Sequence, residues 1–384
     1  MPQKPNRYFD NATTSYPKPE EMKRVLAHFY DVPVGSYGRS ADEATLSITL
    51  KVEELRDRLA AWLGVSEASH VLFCENATFG LNAILKGYKP LREPGNIVWI
   101  SPMEHNAVMR PLTALCTGNG ISYRIMPHLP DGTIDTARLA EEWPGSQTAL
   151  ACINLESNVN GMMQPIESIA NELHRLGVPI LCDATQLPGT ERIEVDRLGI
   201  DFVAFTGHKG LLGPSGTGGY FIRHPESVEP LTAGGNGVHS ESMDITDEMP
   251  DRFMAGTPNM LGLVALAESV AHLPVYGITQ EQWCDALDEM AEMEGLTVWR
   301  SADRKRQGYV CSLTHETLLP SETGDLLLHR HGLITRTGLH CAPLAHRTLG
   351  TDKTGTVRIS LSPYHTSQDL QLLLNGLRDV LHNR

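Results

Sequence analysis

Asp201-Phe-Val-Ala-Phe205 runs straight into Thr206-Gly-His-Lys-Gly-Leu-Leu-Gly-Pro-Ser-Gly-Thr-Gly-Gly219, so an apolar, strand-like segment leads to a lone lysine with glycines closing in behind it. A lysine that forms a Schiff base with a phosphorylated aldehyde needs such a setting. Its approach must be free of bulky backbone neighbours, a phosphate anchor must lie within a residue or two, and an acid elsewhere must keep a ring nitrogen protonated. Thr206 and His208 are candidates for the anchor and Asp183 for the acid. The segment does not decide the matter alone, because a buried strand followed by a glycine-rich loop with one solvated lysine is common in α/β proteins.

Working outward, short apolar runs recur with amphipathic segments between them: His70-Val-Leu-Phe-Cys74, Ile97-Val-Trp-Ile-Ser101, Thr148-Ala-Leu-Ala-Cys-Ile-Asn154, Pro179-Ile-Leu-Cys-Asp183, 201–205 and Gly219-Tyr-Phe-Ile222. Strands alternating with helices predict an α/β fold with a mostly parallel sheet covered on both faces. Pro165-Ile-Glu-Ser-Ile-Ala-Asn-Glu-Leu-His-Arg-Leu-Gly177 has helical apolar spacing and a glycine stop, as expected of a crossover helix. Beyond about residue 225 the alternation fails, and Gly234-Gly-Asn-Gly237 opens a polar stretch that runs to Pro258. A helix from about Met260 to Leu273 is expected to lead into a smaller domain with strands near 308–312 and 356–361 and a last helix from Ser367 to about His382. The expected division is 1–20 as a segment packing with the small domain, 21–258 as the large domain and 259–384 as the small one.

Composition narrows the function. Acidic residues outnumber Lys plus Arg by 46 to 32, a formal charge of -14, which argues against nonspecific nucleic-acid binding. No stretch approaches the ~18 apolar residues of a membrane span, and the chain reads as a cytoplasmic protein. The seven cysteines include no Cys-x-x-Cys pair and no His-Cys group at zinc spacing, so neither a disulfide framework nor a metal site is expected. Cys74, Cys152, Cys182 and Cys311 fall in or beside apolar runs, as small buried hydrophobes do. Cys341 instead lies in the loop-like Thr335-Arg-Thr-Gly-Leu-His-Cys-Ala-Pro343, near Arg336 and His340; such cations favour a thiolate, although an exposed cysteine near chance cations reads the same way.

Active residues in open α/β sheets collect at the carboxyl ends of strands. Glu75-Asn-Ala-Thr-Phe-Gly80 follows the first run and leads into a helix able to hold a phosphate, His105 follows the second, Asn158 the third, Asp183 the fourth and Lys209 the fifth. Five in register are hard to attribute to chance.

With these residues the chain resembles the class V branch of pyridoxal-phosphate enzymes, and within it the cysteine desulfurase and selenocysteine lyase group. The resemblance covers almost the whole chain. It is carried by Tyr8-Phe-Asp-Asn-Ala-Thr13, Asn76-Ala-Thr78, Glu104-His-Asn106, Ser157-Asn-Val159, Asp183-Ala-Thr-Gln186, Thr206-Gly-His-Lys209, Arg252-Phe-Met-Ala-Gly-Thr-Pro-Asn259, the Cys341 loop and Val357-Arg-Ile-Ser360. It implies the fold type I of these transferases, with a mostly parallel seven-stranded sheet and a smaller α+β domain. It implies pyridoxal 5'-phosphate as cofactor, with Lys209 as its Schiff-base partner and later the proton carrier at the substrate α carbon. Asp183 would pair with the ring nitrogen, Gln186 and Asn158 with the ring hydroxyl, and His105 would lie over the ring as acid or base. Ala77, Thr78, Thr206 and His208 would bind the phosphate, and Thr257 would reach it from the other subunit of a homodimer with shared active sites. Arg358 would take the substrate carboxylate, with Arg336, His340 and Asn158 also facing the substrate. Cys341 would accept sulfur from L-cysteine or a related small amino acid as a persulfide, leave L-alanine, and pass the sulfur to an acceptor.

The chain departs from the group at several positions. Leu339 stands where the loop often has a histidine, Leu155 and Glu156 stand in a stretch that usually carries a histidine, Tyr364-His365-Thr366 replaces an Asn-containing triplet, and Thr13 sits where alanine is commoner. These bear on substrate choice and on the sulfur acceptor. Selenocysteine lyase and cysteine sulfinate desulfinase are close variants of the leading reading. The other readings are an aminotransferase or simple lyase of the same fold, with Cys341 incidental, and a scaffold that has lost activity, against which Asp183, Gln186, Lys209 and Arg358 weigh.

Overall fold

The computed structural model describes residues 5–35, 37–38, 42–235, 237, 239 and 241–382. Residues 1–4 of the expected N-terminal segment, and Asn236 within the 234–237 stretch, lie outside the described residues. In chain order the large lobe contains α1 (Glu20–His28), α2 (Glu43–Leu63), β1 (Val71–Cys74), α3 (Ala77–Gly87), β2 (Ile97–Ile100), α4 (Asn106–Asn119), β3 (Ser122–Ile125), β4 (Thr148–Asn154), α5 (Ile166–Arg175), β5 (Ile180–Asp183), β6 (Phe202–Thr206), β7 (Gly218–Ile222) and α6 (Met260–Ala271). The small lobe contains α7 (Gln280–Ala291), β8 (Leu296–Trp299), β9 (Val310–His315), α8 (Pro320–His331), β10 (Arg336–Gly338), α9 (Pro343–Leu349), β11 (Thr356–Ser360) and α10 (Ser367–His382).

The large sheet has seven strands in the order β1-β7-β6-β5-β4-β2-β3, in which β7 alone runs against its neighbours. Its runs read as continuously apolar because both faces are covered. Val203 and Phe205 face the layer of α2, α5 and α6, while Phe202 and Ala204 face that of α3 and α4. The period-two alternation is therefore between two cores rather than between core and water. β3 escapes the apolar-run reading because it is the edge strand and all four of its residues are exposed. Gly218 lets β7 lie close under the start of α3, since a Cβ there would sit 2.9 Å from the Asn76 Cα.

The helix expected from Met260 forms, but it packs with α1 and α2 on the large sheet, where Met260, Leu263, Val264 and Leu266 join the core of β4 and β5. The expected boundary at 258/259 thus falls one helix ahead of the change in packing. The next core begins at Ile278 and gathers Trp283, Cys311, Val357 and Leu373 around the antiparallel sheet β10-β11-β9-β8. Phe9 belongs to that core, and its backbone is held by Ile334 and Ser360 at 2.8 Å each. The chain start then crosses to the large lobe, where Ser15 N donates to the His208 carbonyl at 3.1 Å.

The two lobes meet at Gly161, whose carbonyl accepts the Gly308 N–H at 2.7 Å and whose φ is +68°. A Cβ at Gly161 would collide with the Val310 carbonyl. Gly161→Ala is therefore expected to cost about 2–3 kcal/mol in urea unfolding. Gly118→Ala, within α4 and facing open space, is expected to be neutral or stabilising.

Candidate active site

The strands β1, β2, β4, β5 and β6 run in one direction, so their carboxyl ends share one edge of the sheet. At that edge Asn76 caps α3, His105 caps α4, Asn158 follows β4, Asp183 ends β5, and Lys209 follows β6. Lys209 lies between the lobes on a cavity of about 30 Å³ that Glu156, Gln186, Asn11 and Ser15 also line. Burial, then the Arg358 guanidinium, push its amine down to about 8, against the opposing pull of Asp183. The Asp183 carboxylate accepts the Thr185 N–H at 2.9 Å, and burial raises its pKa.

His105 Nδ1 accepts the Ala107 N–H at 3.0 Å, which leaves the ring proton on Nε2. Burial, reinforced by Lys209 and three arginines, holds this imidazole neutral down to about pH 3. Of the two acid–base candidates, Lys209 is the one whose pKa is drawn toward neutrality, while that of His105 is pushed away from it. Gln186 Nε2 reaches the Ala12 carbonyl at 3.1 Å and Asn158 Nδ2 the His340 carbonyl at 2.8 Å. Asn158 Oδ1 and His208 Nδ1 are buried with no partner among the described residues. Ala77 and Thr78 open α3, and the Thr206 hydroxyl is buried beside the Thr217 carbonyl at 3.4 Å. Thr257 lies apart from these: it is exposed on a cleft of about 490 Å³ with Cys74, Glu75 and Phe79.

The Cys341 loop is tight and strained. His340 and Cys341 both adopt left-handed backbone, at φ +48° and +58°, an uncommon state for non-glycine residues. The loop is fastened where the Asn106 N–H meets the Cys341 carbonyl at 2.8 Å and where Asn158 holds that of His340. Gly355, at φ +70°, lets the backbone of Gly338 pass where a Cβ would stand 2.6 Å from its carbonyl carbon. The Cys341 thiol is exposed, and Arg336 Nη2 lies 3.8 Å from Sγ.

Arg336 and His340 separate here. His340 turns inward, its Nε2 giving a proton to Thr356 Oγ1 at 2.9 Å while that hydroxyl donates to Ser312 at 3.0 Å. Burial, then Arg358, push its pKa down to about 2, so His340 supplies neither a cation at the thiol nor that ring nitrogen to a substrate. Arg358 is buried and already engaged: Nη2 meets Asp10 Oδ1 at 2.7 Å and Thr13 Oγ1 at 2.8 Å, and Nη1 meets the Asn158 carbonyl at 3.2 Å.

Sequence reading missed four groups at the site. Lys18 Nζ donates to the His208 carbonyl and to Ser15 Oγ at 2.8 Å each, and burial pushes it down to about 8. Asp10 pairs with Arg358. Glu104 is pushed up to about 8 by burial and by Asp183, with Ser101 Oγ donating to it at 2.7 Å. Glu156, noted only as a departure, is a buried carboxyl whose Oε2 has no partner among the described residues. An acid directly after an apolar strand was the available signal for Glu104; nothing local marks Lys18.

Two measurements follow. Reductive methylation of Lys209 in the apoprotein should titrate with a midpoint near pH 8 rather than the 10.5 of an ordinary lysine, and lower still in Asp183→Asn, which removes a charge that favours the ammonium. Burial raises the Glu156 pKa well above its usual range, so folding takes up a proton there and stability falls as pH rises through the window between the unfolded and folded values. Glu156→Gln removes that penalty. Its melting temperature relative to wild type should climb from pH 5 to pH 8, and a flat difference contradicts the assignment.

This geometry has relatives. The sequence profile described as Aminotransferase class-V matches residues 7–373. Related sequences include a probable cysteine desulfurase of Xylella fastidiosa, 30% identical over 98% of this chain and 91% of the relative, and one of Methanothermobacter thermautotrophicus, 29% identical over 97% and 94%. Among solved structures, the apo cysteine desulfurase of Thermococcus onnurineus superposes with a TM-score of 0.90 at 25% identity, covering 98% of this chain and 95% of that one. The cysteine desulfurase CsdA of Escherichia coli gives 0.86 at 26%, covering 97% and 94%. The chain belongs to the class-V aminotransferase family, and it matches members of that family that are cysteine desulfurases.

Proposed function

We propose that the chain is a pyridoxal-phosphate-dependent cysteine desulfurase, in which L-cysteine yields its sulfur to Cys341 and leaves as L-alanine. The observation that carries this is the exposed Cys341 thiol, on a strained loop tied to the same strand-end loops that hold His105 and Asn158, with a guanidinium 3.8 Å from its sulfur.

The residues present suit the cofactor. The buried Asp183 carboxylate is placed to take a protonated ring nitrogen, and the unpartnered Asn158 Oδ1 with Gln186 fits the ring hydroxyl. The start of α3, Thr206 and the unpartnered His208 Nδ1 fit a phosphate. The neutral His105 suits stacking on the ring face. When bound, pyridoxal phosphate supplies an electron sink for pairs released from bonds of the substrate.

Lys209, with its amine near 8, carries a proton to and from the substrate α carbon. Arg358 holds the substrate carboxylate, exchanging the Asp10 carboxylate for it. Arg336 lies against the Cys341 sulfur, which as the thiolate attacks the substrate sulfur. A sulfur–sulfur bond forms, the carbon–sulfur bond breaks, and its electron pair stays with the carbon side and is taken up with a proton at the β carbon. The products are L-alanine and a Cys341 persulfide that an acceptor removes. In this reading the large lobe holds the cofactor, while the N-terminal segment and the small lobe carry the substrate-facing groups.

The active unit is a homodimer. Its support is that Thr257 is exposed on a cleft beside α3 rather than among the other phosphate candidates, and that Leu26, Tyr30, Val32, Leu46 and Leu50, on and near α1 and α2, are exposed apolar side chains that a second copy would cover.

Cys341→Ala should lower alanine formation from cysteine by about 100-fold or more, since the reaction loses its nucleophile. Lys209→Ala should abolish the absorbance of the bound cofactor. Unchanged sulfur release by Cys341→Ala defeats the proposal, whereas selective survival of sulfinate or selenocysteine turnover in that variant identifies those substrates as ones that need no thiol.

A further inference from the structure

One hydroxyl stands between two guanidiniums. Thr13 Oγ1 accepts from Arg336 Nη1 at 2.7 Å and from Arg358 Nη2 at 2.8 Å, and it donates to Asp10 Oδ1 at 2.8 Å. A hydroxyl has one donor and two acceptor positions, so its capacity is filled. The arrangement answers a problem set by the sheet: β10 and β11 pair with Arg336 directly opposite Arg358, and like charges so placed repel. The Asp10 carboxylate meets one guanidinium and the Thr13 oxygen meets both. The far side of each arginine faces a different task, since Arg336 Nη2 lies on Cys341 Sγ and Arg358 Nη1 on the Asn158 carbonyl.

We propose that Thr13 is a positioning residue that holds Arg336 against the Cys341 thiol and Arg358 in the orientation that receives the substrate carboxylate. Without the hydroxyl, Arg358 keeps the Asp10 carboxylate while Arg336 loses its hydrogen bond on this side, and the two guanidiniums swing apart. The inference rests on the roles given to Arg358 and Cys341 above.

The test replaces Thr13 by the isosteric valine and, as rescue, by serine. In the apoprotein, the rate at which iodoacetamide alkylates Cys341, read by mass spectrometry at fixed pH, should fall about fivefold in Thr13→Val and return in Thr13→Ser, the effect of losing one hydrogen bond of ordinary strength. In Arg336→Met the same rate should fall, and adding Thr13→Val should change it no further. In the holoenzyme, KM for L-cysteine should rise by about the same factor in Thr13→Val, with kcat less affected. Wild-type alkylation and KM in Thr13→Val overturn the inference, as does an effect that serine fails to restore or that persists undiminished without Arg336. Alkylation of the apoprotein does not depend on turnover, so these results stay separate from the failure of the desulfurase reading, which Cys341→Ala reports.

Discussion

Two cations buried in one seam, the Lys209 amine and the Arg358 guanidinium, set the terms for the rest of the structure. Each must leave water, and the Arg358 charge lowers the pKa of the Lys209 amine. The fold answers with two buried or half-buried carboxylates, Asp183 from the large lobe and Asp10 from the chain start. Because Asp10 arrives on a segment that pairs with Ile334 and Ser360 of the small lobe before touching His208 of the large one, the counter-charge also joins the lobes. The Arg358 charge is thus met by an intramolecular counter-ion rather than left unpaired.

The Cys341 thiol is handled differently. It stays exposed on a loop of short reach and left-handed backbone, tied by two backbone carbonyls to Asn106 and Asn158. Those anchors stand at the start of α4 and in the loop that follows β4, on the same sheet edge that carries Asp183 and Lys209. The neighbouring His340 is tied through Nε2 to the Thr356 hydroxyl, which in turn donates to Ser312, and burial keeps its imidazole neutral.

Much of the large lobe was legible because buried parallel strands leave an unmistakable trace of short apolar runs, and because strand ends in such sheets collect chemistry. Lys209, Asp183, Asn158 and His105 were found that way, and they do share one edge. The edge strand β3 was not legible, since exposure on all four residues removes the apolar signal. Placing α6 in the large lobe needed its packing partners, because an apolar helix announces burial without saying against what.

The order of elements, the residue types at each strand end and the lysine, arginine and cysteine available for chemistry follow from local pattern and from functional groups that each residue carries unaided. Which groups stay charged and whom they meet was settled by folding. It made His340 neutral and Arg336 the companion of the thiol, brought Asp10 and Thr13 across more than three hundred residues to Arg358, and turned Lys18 and Glu156 into buried titratable groups. Charge state and hydrogen-bond partnership depend on desolvation and on contacts between distant segments, and neither quantity exists until the chain has closed on itself.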